Sequence, residues 1–157
     1  MITQIIQGAP AWIWVLLGII ITRGVRALSA RVVYLPTFFI VPVVLVVLRL
    51  AYGIESNMIL YYFLGLAAGI IVGYLKTEKQ LGITINKKNM EVALPGSPEL
   101  LIVLFTFFCI RYLFGYLEAM HEEVVFDYMW IEYIMTGSVI GFLWGNAVSY
   151  VHRYMRL

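Results

Sequence analysis

A chain of 157 residues that is 62% hydrophobic and 13% charged, with a mean hydropathy of +0.91, has too little polar surface for a water-soluble domain. Its net charge of +2 is too small and too scattered to suggest nucleic acid, and its single cysteine, Cys109, excludes an internal disulfide or a CxxC redox pair. The composition predicts an all-α integral membrane protein, one transmembrane domain over residues 1–157.

The first apolar run, about residues 10–27, opens with Pro10, Trp12 and Trp14, residues suited to a first helical turn at a bilayer interface. Positive charge comes at its end and just beyond, at Arg23, Arg26 and Arg31. A cleavable signal peptide has the reverse order, so this segment is expected to stay as the first helix.

The second span, about 33–53, has Pro36 near its start, Pro42 inside it and Arg49 near its end. The link from Gly53 to Asn57 is short, which predicts that the third span, about 58–75, returns antiparallel beside the second. Gly65, Gly69 and Gly73 make two overlapping GxxxG steps in the third span, and Gly137, Gly141 and Gly145 repeat them in the fifth, about 128–150. Such strips serve close helix packing, within the chain in the favoured reading or across a homodimer in the other.

The polar segment 76–97 alternates at Ile83 and Ile85, turns at Asn86–Asn89, and alternates again at Met90, Val92 and Leu94. This spells a short β-hairpin whose apolar face should rest on helix ends or on a second copy of the chain. Pro98 then fits the first position of a fourth span, about 98–118, with Ser97 as its N-cap. Cys109, inside that apolar run, reads as a small core hydrophobe rather than a nucleophile.

Five spans put Arg23, Arg26, Arg31, Lys76, Lys79, Lys87, Lys88, Arg153 and Arg156 on one side, and Glu55, Glu118, Glu122, Glu123 and Asp127 on the other. The basic side is cytoplasmic, which puts the N-terminus outside and the C-terminus inside. Arg49 and Arg111 lie within spans, where a charge costs roughly 3 kcal/mol and needs compensation. Each precedes a glycine by four residues, Gly53 and Gly115, late in an outward-running helix that a glycine-striped helix follows. That pattern suggests a parallel repeat of two helical hairpins behind an added first helix.

From Pro98 to Arg111 is about 20 Å at 1.5 Å per residue, in the outer half of a core about 30 Å thick. Two readings stand for the arginines. In the plainer one they are neutralised by Glu55, Glu118, Glu132 or lipid phosphates. In the sharper one Arg49 and Arg111, with Tyr52, Tyr112, Tyr116, Glu118 and Glu132, line an outward-facing cavity for an anionic ligand. His121 and His152 fall on opposite membrane sides, so one chain cannot clamp a haem between them. The acidic run around His121 reads as a solvated loop rather than a metal site, and no cofactor or metal is expected.

Ile5, Ile6, Gln7, Pro10, Trp12 and Trp14, with Leu94, Pro95, Gly96 and Ser97, then Arg111, Tyr112, Gly115, Ala119, Met120 and His121, carry a resemblance across nearly the whole chain. The chain resembles a family of small bacterial multi-span inner-membrane proteins classed as a domain of unknown function. The resemblance implies a bacterial inner membrane and a helical fold, and no activity. Three function classes follow. The first and favoured is a non-enzymatic protein acting through self-assembly or partner binding; the alternative binds or transports a small anion or lipid headgroup at Arg49 and Arg111; the third, least favoured, is an intramembrane enzyme using Glu118, His121 or Glu132. The partners these imply are membrane lipids, a second copy of the chain or a small anionic ligand.

Overall fold

The computed structural model describes residues 17–18, 21–22, 24–51, 53–86, 89–120 and 122–156, with backbone alone at 118–120 and 122–126. Most of the expected first span lies outside the described residues, as do Arg23, Tyr52, Lys87, Lys88 and His121. The described part of the first span is helical at 17–18, 21–22 and 24–26.

Strand β1 (Arg31–Tyr34) leads into helix α1 (Thr37–Ala51), and a 3-10 turn (Ser56–Met58) into α2 (Ile59–Lys79). Strands β2 (Thr84–Asn86) and β3 (Glu91–Leu94) follow, then α3 (Glu99–Met120) and α4 (Glu122–Arg156). The segments Ser56–Lys79, Glu99–Leu117 and Asp127–Arg156 are long and apolar enough to cross a membrane. Helix α1 is apolar but has 15 residues, about 22 Å, against a hydrocarbon core of about 30 Å. The expected second span, 33–53, is thus helical only from Thr37, because its start, Val33–Tyr34, belongs to strand β1.

The predicted hairpin is present: β2 and β3 pair antiparallel with Ile85 opposite Val92. The third strand was missed. Arg31–Tyr34 reads from sequence as a basic loop entering a helix, yet it lies antiparallel to β3 with Val33 opposite Val92, giving the order β1-β3-β2. The apolar face of this sheet rests on a helix end, where Leu35, Val92 and Tyr150 form a small core backed by Phe38, Ile83, Ile85, Leu94 and Val151. Basic residues gather there, with Arg31 in β1, Lys76 and Lys79 ending α2, and Arg153 and Arg156 ending α4.

Helices α2 and α4 pack face to face along their glycines and run parallel. A Cβ on Gly65, Gly69 or Gly73 would fall on the carbonyls of Ile134, Ser138 and Phe142. One on Gly137, Gly141 or Gly145 would fall on those of Tyr62, Leu66 and Ile70. The close-packing reading therefore holds within the chain, and backbone approach of this kind admits no side chain.

Helices α1 and α3 both pack on α4, so α2 does not return beside α1 as the short link predicted; α4 supplies the common surface. The main core collects Leu45, Tyr62, Leu104, Tyr133, Ile140 and Leu143 from all four helices. Three local expectations also change. Helix α3 begins at Glu99, one residue late, with the Pro98 carbonyl accepting from Ile102 at 2.9 Å. Cys109 is exposed, because α3 buries one stripe on α4 and turns its other apolar side out. The acidic run is helical on both sides of His121 and not a loop there, since Glu118 lies in the last turn of α3, which ends at Met120, and Glu122 opens α4.

Candidate functional site

Twelve residues into α1, Arg49 faces α4 and is buried at 6% exposure. Glu132 lies early in α4, 4% exposed, and Arg111 approaches it from α3. The two Nη atoms of Arg49 donate to the two carboxylate oxygens of Glu132 at 3.4 and 3.2 Å. Arg111 Nη1 donates to Glu132 Oε1 at 2.6 Å, with its side chain 35% exposed. Two guanidiniums from separate helices thus share one carboxylate, the compensation that a buried charge requires.

Two neighbours on α4 complete the cluster. Thr136, one turn from Glu132 on the same helix face, donates to Oε1 at 3.2 Å. Tyr133 lays its ring 4.1 Å below the Arg49 guanidinium, a cation–π contact, and its hydroxyl accepts the Glu55 backbone N–H at 3.2 Å. That last bond ties the α1–α2 link to α4 and fixes the cluster at the end of the bundle opposite the sheet. From Glu132 to Tyr150, at the sheet, is about 27 Å along the helix.

The geometry around Glu132 is lopsided. Charge-assisted N–H···O bonds run about 2.7–2.9 Å, so Arg111 holds the carboxylate tightly while Arg49 holds it at arm's length. Arg49 Nε is buried and has no hydrogen-bond partner among the described residues. A buried guanidinium donor normally has one, so this edge of Arg49 has unused capacity.

Of the residues nominated from sequence, Arg49, Arg111 and Glu132 meet. Tyr112 stacks on Phe108 with centroids 5.9 Å apart, and Tyr116 lies one turn further along α3, half-buried. Glu55 is exposed and reaches the cluster through its backbone N–H alone. Tyr52 and the Glu118 side chain lie outside the described residues. Tyr133 and Thr136 escaped notice, although their positions one and four residues beyond Glu132 marked them as its helical neighbours.

A second polar group sits at the sheet end. Arg153 Nη2 donates to the carbonyls of Thr77 at 2.6 Å and Gln80 at 3.2 Å, closing the C-terminus of α2. Thr77 donates to Asn146 at 2.8 Å, His152 hydrogen-bonds Tyr74, and Glu78 takes Arg156 at 3.0 Å. Nearly every member here bonds across α2 and α4, which marks the group as a helix clamp.

No family model, curated protein or solved structure matches the chain.

Proposed function

We propose that the chain is a bacterial inner-membrane protein, N-terminus outside and C-terminus cytoplasmic, that binds an anionic ligand in an outward-facing site around Arg49 and Arg111. The ligand is an oxyanion, free or carried on a lipid headgroup, and the protein acts by binding rather than by catalysis. One observation carries this reading: two arginines converge on a single carboxylate, and Arg49 keeps a buried donor edge without a partner among the described residues.

The orientation draws on the gathering of basic residues at the sheet end, which the positive-inside rule assigns to the cytoplasm. The membrane setting draws on three long apolar helices and on exposed apolar side chains such as Val43, Val47, Phe63, Ile71 and Phe105. Self-assembly through the glycine strips loses support, because those strips are covered by each other.

The test is native mass spectrometry of the detergent-purified wild type beside Arg111→Gln, with folding matched by circular dichroism. A discrete anionic adduct on the wild type that the variant lacks supports the site. Identical spectra for the two proteins count against it.

A further inference from the structure

We propose that Glu132 is an internal competitor for the ligand, so that binding of a tetrahedral oxyanion at Arg49 is coupled to uptake of one proton by Glu132. This rests on the binding reading above and adds its ligand chemistry and its regulation.

The starting point is that the carboxylate already occupies the place an anion would take. Glu132 presents two oxygens to two guanidiniums, the arrangement an oxyanion would make with the same donors. An incoming anion close to Glu132 meets like charge, and like charges held together in a buried site disfavour each other's presence. Protonation removes the conflict. The carboxylate takes a proton from solvent, becomes a neutral carboxylic acid, and frees Arg49 to pair with the ligand, so charge in the site is the same before and after.

The distances say which arginine changes partner. Arg49 holds Glu132 at 3.2 and 3.4 Å and has Nε idle, so turning its Nε–Nη edge to a ligand gives up two long bonds. Arg111 stays on Oε1 at 2.6 Å and keeps the side chain placed. Thr136, now donating at 3.2 Å, can accept from the neutral acid instead, because a hydroxyl serves in either sense. A planar carboxylate ligand would only reproduce what Glu132 offers. A phosphodiester sets one non-bridging oxygen on Nε and the other on the adjacent Nη, and its tetrahedral ester oxygens point away from the guanidinium plane.

Among the described residues, the charged groups that contact Glu132 are of one sign. They are Arg49 from α1 and Arg111 from α3; on α4 itself the Tyr133 ring lies under Arg49; from α2, Tyr62 lies within range of the Arg49 charge; and Glu55 in the link reaches Tyr133 by its N–H. Glu132 is the one carboxylate in this set that contacts both arginines, so the coupled proton belongs to it.

The experiment measures binding of two phosphodiester probes, soluble dimethyl phosphate by equilibrium dialysis and phosphatidylglycerol by native mass spectrometry, from mildly acidic to mildly basic pH. Both probes stay monoanionic throughout, so any pH dependence belongs to the protein. The wild type should bind more tightly as pH falls, by up to about tenfold per unit for one proton. Glu132→Gln should bind independently of pH, at least as tightly as the wild type at its acidic limit. Binding to dimethyl phosphate identifies a free oxyanion as the source, and binding to phosphatidylglycerol alone identifies a headgroup. Wild-type binding that is flat with pH, or Glu132→Gln binding no tighter than the wild type at neutral pH, overturns the coupling and leaves the site reading standing. If neither protein binds either probe at any pH, both fail. Glu132→Asp, which keeps the charge, guards against misfolding of the glutamine variant: it should retain the pH dependence.

Discussion

Gly65 of α2 and Gly137 of α4 each sit over the carbonyl of the residue three places before the other, Gly65 over Ile134 and Gly137 over Tyr62. The same reciprocal step holds for Gly69 with Gly141 and for Gly73 with Gly145. Adding 72 to a position in α2 gives its counterpart in α4, so the two helices meet about a local two-fold axis. The symmetry stops there. The counterpart of Glu132 is Leu60, 66% exposed, and so both arginines must share one carboxylate.

Filling one of these contacts should separate the helices. Gly69→Leu puts a side chain where the Ser138 carbonyl and the Phe142 N–H lie, and should cost roughly 1–3 kcal/mol or more, read as a lower melting temperature in detergent. Gly115→Ala, in open space on α3, should stabilise by roughly 0.5–1 kcal/mol. Equal effects from the two would contradict the packing.

The arginine cluster separates stability from function. Glu132→Ala strands two guanidiniums and should destabilise by roughly 3–5 kcal/mol, the cost of leaving a buried charge unpaired. Replacing the whole cluster, Arg49→Met with Glu132→Leu and Arg111→Met, should be close to neutral or stabilising in a melting experiment, since apolar residues of similar volume need no ion pairing. A triple variant that fails to fold would mean the cluster is required for the structure itself.

Much of this architecture was legible in the sequence, for physical reasons that differ by feature. The glycine strips, the hairpin and the two arginines set in apolar helices each depend on a short-range pattern, and each is present. Errors arose where tertiary contact decides. Arg31–Tyr34 became a strand because β3 offered an edge, which no local signal reports. Arg49–Gly53 and Arg111–Gly115 match in sequence, yet Gly53 takes φ 78° just beyond the end of α1 whereas Gly115 continues α3. The repeat of two hairpins therefore reduces to the glycine pair. Thr136 and Tyr133 entered the site through the face they share with Glu132, a relation visible only once Glu132 was known to matter.

At the sheet end, Arg153 should behave as a helix cap. Arg153→Ala leaves the last carbonyls of α2 without their donor and should cost about 1.5–3 kcal/mol, with hydrogen exchange rising first at the end of α2. Arg153→Lys should rescue only part, because an ammonium lacks the planar fork.

Tyr133→Phe removes the acceptor for the Glu55 N–H and keeps the ring beneath Arg49. Its cost should be about 1 kcal/mol, and anion binding should persist. Loss of binding would mean that the α1–α2 link, and not the arginine pair, forms the site.

The most direct measurement is the melting temperature of the purified protein with and without a phosphodiester, wild type beside the Arg49→Met, Glu132→Leu, Arg111→Met variant. A ligand at a hundredfold excess over its dissociation constant stabilises the folded state by about 2.7 kcal/mol. Dimethyl phosphate or phosphatidylglycerol should raise the melting temperature of the wild type and leave the variant unchanged. An equal rise in the two proteins, or no rise in either, would contradict an anion site at Arg49 and Arg111.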